Sequence, residues 1–237
     1  MTDALAAGHR TFHEKLDALK KGLVALSQRA EEVLTLSMDA LRAGDVTKAK
    51  TVIEADREVD RLEVELEADA IALLALQQPM ARDLRFIVSA IKITSDLERV
   101  GDHAVNIAGS TIRMSALGSR LAVPPQISEM SRLASAMLSD ALDAVVRIDG
   151  ALGREVCRRD DAVDSLHETL FRSLLTHMME EPRTISYALE LLLIGRNLER
   201  VADLATNIAE DAVYLAEGVT IKHHMEEDLG RHGAPDA

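Results

Sequence analysis

From Ser95 to Ser110 the chain reads SDLERVGDHAVNIAGS, and from Arg196 to Asp211 it reads RNLERVADLATNIAED. The signature L-E-R-V-x-D-x-x-x-N-I-A is written twice with its charged residues kept in place. Self-similarity on this scale constrains the fold more than any single motif, because each copy must fold as the same unit. Two further landmarks recur in the same order. GDVTKAKTVIEADREVDRLE is echoed by IDGALGREVCRRDDAVDSLH, and QQPMARD by EEPRTIS.

Each copy reads as three helices. Phe12, Leu16, Leu19, Leu23, Leu26, Ala30 and Val33 step by threes and fours, an apolar helical stripe. Asp45 is placed to cap a second helix that runs to Gln77. Pro79 then punctuates, and a third helix runs to Leu117. GSRLAVPP joins the copies. Ile127, Met130, Ala134, Met137, Ala141 and Val145 mark a fourth helix, which Asp149 and Gly150 break. A fifth runs to Met179, and EEPR turns the chain into a sixth. Ala, Leu, Glu, Arg and Met, all good helix formers, dominate, and only five prolines occur. The expected fold is all-α: two tandem, pseudo-symmetric, antiparallel three-helix bundles of six long helices. Their expected spans are 1–118 and 119–217, with 218–237 a flexible tail.

Composition narrows the function. A net charge of −13 argues against nucleic acid, whose phosphates need basic patches. The longest uncharged stretch, AIALLALQQPMA, falls short of the roughly 20 apolar residues of a membrane span. The lone Cys157 fits a reducing cytoplasm, and the first residues lack a signal-peptide pattern. No phosphate loop, G-x-S-x-G, H-E-x-x-H or E-x-x-H is present, so no catalytic nucleophile with its base is found.

The carboxylates then need a reason. Leu84, Val88, Ile91, Ser95, Glu98 and Asp102 share one face of the third helix, with Asn106 one step on. Ile185, Leu189, Leu192, Arg196, Glu199, Asp203 and Asn207 repeat this in the sixth. The apolar members are expected to be buried, so the acids should interrupt a core-facing stripe. The second helix adds Ile53, Asp56, Asp60, Val64 and Ile71, and the fifth adds Cys157, Asp160 and Asp164. Asp60 and Glu98 are equidistant in sequence from Pro79, so a hairpin sets them level. Asp56 and Asp102 form the next rung. Asp164 with Glu199, and Asp160 with Asp203, repeat the arrangement about Pro182.

Four facing carboxylates repel, and burial raises the cost. Raised pKa values, basic partners or cations are the remedies. Arg99 and Arg200 each follow their Glu directly and point about 100° away around the helix. All-oxygen clusters suit hard cations, with magnesium and manganese among them, and helical bundles hold such clusters. The ladders are therefore read as metal sites, with Asn106 and Asn207 as extra ligands or supporting hydrogen-bond partners. A single E-x-x-x-D on a helix is ordinarily a solvated face; duplication and level pairing weaken that reading here. A carboxylate-bridged hydrolase or oxidase is the alternative, and purely structural metals a third. His103 is expected at or near the surface, KHHMEED to be a solvated tail, and Cys157 to be a small apolar core residue.

HRTFHEKLDALKKGL, QQPMARDLRFIVSAIKITSDLERVGDHAVNIA and the duplicated acidic pairs together resemble the PhoU family of phosphate-transport regulators, over roughly residues 8 to 217. The resemblance implies two three-helix bundles carrying multinuclear iron or zinc clusters. Mapped by motif, their ligands are Asp56, Asp60, Glu98 and Asp102, then Asp160, Asp164, Glu199 and Asp203. It also implies negative control of the phosphate-starvation response, through the ATPase of a phosphate ABC transporter and a membrane sensor histidine kinase. A cytoplasmic homodimer is expected, touching the membrane only through partners. The copies depart from each other where Gly101-Asp102-His103 faces Ala202-Asp203-Leu204, and where Arg196 replaces Ser95.

Overall fold

The computed structural model describes residues 2–77, 79, 81–117 and 121–221. All its elements are helical: α1 (Thr2–Ala43), α2 (Val46–Gln77), α3 (Ala81–Ser115), α4 (Pro125–Arg147), α5 (Gly150–Glu180) and α6 (Ile185–Glu217). A single 3-10 turn, Pro182–Thr184, leads into α6. No described helix is long and apolar enough to cross a membrane.

Local chemistry sets the ends. The Asp45 carboxylate accepts from the backbone N–H of Thr47 and Lys48, capping α2 as expected. Asp149 does the same for α5, accepting from Leu152 N–H. The break before α5 falls at Ile148, which adopts the left-handed region at φ 55°, rather than at Gly150, which is already helical.

α1, α2 and α3 pack on one another, as do α4, α5 and α6. The α1 stripe from Phe12 to Val33 is buried throughout. α3 also packs along α6, so one continuous core runs through both halves. His103 Nδ1 meets Asn197 Oδ1 at 2.8 Å, Arg113 pairs with Glu190, and Lys92 pairs with Asp211. Numbers rise along α3 as they fall along α6, so the two run antiparallel. These pairs set Val100 about level with Val201, at the middle of the doubled motif. The linker residues 118–120 and the tail from Lys222, KHHMEED included, lie outside the described residues.

One expectation is corrected. The apolar rungs of the ladders are not core residues. Leu84, Ile185 and Leu189 are exposed, as are Ile53, Val64 and Ile71, while Val88, Ile91 and Leu192 are half-buried. The buried stripe of α3 lies one position round: Phe86, Ile87, Ala90, Ile93, Leu97, Val100, Ala104 and Ile107. α3 is gripped from two sides, by its own bundle and by α6, and those neighbours select the adjacent face.

Candidate functional site

The acidic rungs lie on the rim between core and solvent, beside the middle of the α3–α6 seam. Asp56 is buried, with 8% of its surface exposed. Glu98, Asp160, Glu199 and Asp203 are half-buried, and Asp60, Asp102 and Asp164 are exposed. The four acids of each half do come together. Burial, then the nearby charges of Asp60, Asp102 and Glu98, push Asp56 up to about 6. Burial, then Asp203, Asp164, Asp161 and Glu199, push Asp160 up to about 6. Glu98 is also raised, by burial first and then by Asp102, Glu63 and Asp60. Glu63 and Asp161 border the clusters and were not singled out in the sequence.

Asp56 reaches its place because position 101 is glycine. A Cβ there would stand 2.2 Å from Asp56 Oδ1 and 3.3 Å from Val59 Cγ1. The carboxylate of α2 therefore lies directly on the α3 backbone. Its Oδ1 is buried and accepts no hydrogen bond, and the same holds for Asp160 Oδ1. A buried carboxylate oxygen without a donor is costly and marks a place suited to a cation. Among the described residues, no group of three or more His, Cys, Asp or Glu side chains is already arranged to hold a metal ion. The donors suit a hard cation in kind, and their side chains would have to draw together to hold one.

The two halves differ in their arginines. Arg200 does not point away from its acids. It donates to Asp203 Oδ2 at 2.8 Å and stands 3.8 Å from Glu199 Oε2. Arg99 instead turns back toward Asp96, 3.9 Å away. A pocket of about 270 Å³ at the second cluster is lined by Arg99, Asp160, Arg200, Asp203, Thr206 and Asn207. Asn207 thus joins its cluster, whereas Asn106 is exposed.

Sequence reading missed the polar contacts between the halves. His103 is half-buried, as expected, but Asn197 holds it: the Asn197 amide donates to Leu193 O, so its oxygen accepts from His103 Nδ1–H. Arg113 grips Glu190 with two hydrogen bonds, at 2.7 and 2.9 Å. Asp211 is buried opposite Lys92. Only a register for α3 against α6 could have revealed these pairs. Cys157 packs against the core, and burial, with the charge of Glu210, pushes its thiol up to about 11.

The PhoU domain family matches this chain twice, over residues 23–111 and 127–212. A phosphate-specific transport system accessory protein PhoU homolog of Clostridium acetobutylicum is 36% identical over 210 residues, 88% of this chain and 95% of that protein. Its counterpart of Aquifex aeolicus is 38% identical over 220 residues, 90% and 97% of the two chains. Among solved structures, PhoU from Pseudomonas aeruginosa superposes with a TM-score of 0.85 at 34% identity, covering 88% of this chain and 100% of that one. The phosphate transport system regulatory protein PhoU from Streptococcus pneumoniae gives 0.83 at 29% identity, covering 89% and 99%.

Proposed function

Because the chain belongs to the PhoU family, matched over both of its halves, we propose that it is an accessory and regulatory protein of a phosphate-specific transport system. Its relatives are named as accessory and regulatory proteins, not as enzymes. It works by protein contacts in the cytoplasm, with the ATPase of the phosphate importer and a membrane sensor histidine kinase. Through them it holds the phosphate-starvation response off when phosphate is plentiful. The double family match, over residues 23–111 and 127–212, is the observation that carries this reading. Deleting the gene should leave starvation genes on in phosphate-rich medium, and the tagged protein should retain the importer's ATPase. Normal repression in a strain with no second copy sinks the proposal.

Within that role the two carboxylate clusters hold cations, iron or zinc in the first instance, with manganese or magnesium as harder alternatives. Asp56, Asp60, Glu98 and Asp102 form one site, and Asp160, Asp164, Glu199 and Asp203 the other. The orphaned oxygens of Asp56 and Asp160 support this. A bound cation would supply the positive charge that lets each half keep its acids together, tying α2 to α3 and α5 to α6. Elemental analysis of protein purified without an affinity tag should give more than one equivalent of metal per chain. Asn at Asp56, Asp60, Glu98 and Asp102 should remove about half of it, and unchanged content rejects the assignment. Sedimentation of the same preparation reads the expected homodimer.

A further inference from the structure

The doubled motif places different residues just before its common Leu-Glu-Arg: Asp96 in α3 and Asn197 in α6. The position before that differs as well, Ser95 against Arg196, and the two arginines point in opposite directions. In α3 an acid stands one turn behind Arg99, and Arg99 turns back to it, Nη1 to Oδ1 at 3.9 Å. In α6 the same position is a neutral amide already bound to His103 and to Leu193 O. Arg200 has no acid behind it, only the like charge of Arg196 one turn back, and turns forward, onto Asp203 at 2.8 Å and toward Glu199 at 3.8 Å. Arg99 also lines the pocket beside Asp160 and Asp203, so both arginines border the second cluster. The first cluster has the buried Asp56 oxygen without a donor, seated on Gly101, and an arginine reaches it by charge alone: Arg99 favours ionised Glu98 against burial and the neighbouring acids, with no hydrogen bond to it.

Resting on the metal reading above, we propose that the two carboxylate sites are unequal by construction. The Asp56 site takes a cation first. The Asp160 site is occupied by the protein's own guanidinium and fills only when Arg200 is displaced from Asp203. Arg200 is then a positioning residue that sets the order of loading, and Asn197 is the residue that aims it. The guanidinium competes for one donor oxygen, and its charge opposes a divalent ion within a few ångströms. Together these lower apparent affinity by about tenfold.

The test uses the full-length chain stripped of metal, titrated with zinc against a chromophoric chelator. Wild type should show a tight and a weaker class of site. Asp203→Asn should remove the weaker class. Arg200→Gln should tighten that class about tenfold. Asn197→Asp should tighten it too, by drawing Arg200 back as Asp96 draws Arg99, while its carboxylate still accepts from His103. The reciprocal Asp96→Asn frees Arg99 and should weaken the tight class. Circular dichroism melts of each variant confirm that the fold is kept. Equal classes in wild type, or a weaker class indifferent to Arg200→Gln and Asn197→Asp, overturn the inference alone. Zinc binding by no form of the chain overturns the metal reading, and this inference with it.

Discussion

A methyl group at position 101 has nowhere to go without moving Asp56 or Val59. Overpacking of this kind costs about 1–3 kcal/mol, and replacing a helical glycine by alanine returns about 1 kcal/mol. Gly101→Ala should therefore lose about 1 kcal/mol net in urea unfolding. It should also push Asp56 outward, so that the carboxyl titrates closer to the ordinary range by NMR. A loss of stability without that titration change would show that Val59, not Asp56, bears the clash. Asp56 itself gives a signed pH prediction. Its folded pKa of about 6 lies above the ordinary 3.8. The stability linked to it is fully present below pH 3.8 and is lost as pH rises through about 6. For a buried carboxylate this is on the order of 3 kcal/mol. Asp160 and Glu98 shift in the same direction. In chelator, Asp56→Asn should be more stable than wild type at pH 7, and the difference should shrink toward pH 4. An Asp56→Asn chain that is no more stable at pH 7 would mean the charge is relieved by water.

At the scale of helices, periodicity revealed six elements, and residue chemistry located their caps, Asp45 among them. The placing of the acids was legible too, because equal spacing about Pro79 and near-equal spacing about Pro182 set them level in a hairpin. Burial of the ladder faces was not legible. On a helix as long as α3, apolar residues line more than one face, and the face that is buried depends on α6, a partner from the other half. The same contact hid His103–Asn197 and Arg113–Glu190, which join residues far apart in sequence. The turn of Arg200 onto Asp203 was also missed, since helical spacing fixes where a side chain starts but not where a long one ends. The Arg113–Glu190 pair offers a check on the α3–α6 seam. Burial disfavours the Glu190 charge, but hydrogen bonds from Arg113 and Ser110 outweigh it, and its pKa is lowered. The stability so gained is present above the ordinary glutamate range and is lost as pH falls through the lowered value. Glu190→Gln should cost about 1–2 kcal/mol at neutral pH, with the loss fading in acid. Loss of the same size at every pH in thermal melts would assign the effect to packing rather than charge.

For the whole molecule, the clusters tie stability to cations. Without cations each half holds four acids at one level, and like charges about 4 Å apart repel by roughly 4 kcal/mol at an effective dielectric of 20. Burial first, and that repulsion second, raise Asp56, Asp160 and Glu98. Only folding brings α2 level with α3 and α5 level with α6, so a cation binds the native chain in preference to the unfolded one and stabilises it by linkage. At a hundredfold excess over Kd the gain is about 2.7 kcal/mol per site. Chelation should therefore lower Tm at neutral pH. In mild acid the gap should narrow from both sides: protons compete with the cation for the carboxylates, and they also relieve the metal-free form as pH falls below about 6. Leu at Asp56, Asp60, Glu98 and Asp102 removes both the repulsion and the cation requirement from the first half. Asp60 and Asp102 are exposed, so the gain comes chiefly from Asp56 and Glu98. That variant should be at least as stable in chelator as metal-free wild type. It should also keep only the smaller chelator response of the Asp160 site, whose charge Arg200 already offsets in part. The measurement is thermal unfolding of both chains, with and without chelator, at pH 5 and pH 7, with metal content verified. A wild-type Tm unmoved by verified metal removal would show that the rungs are held apart by solvent, and that cations add nothing to the fold.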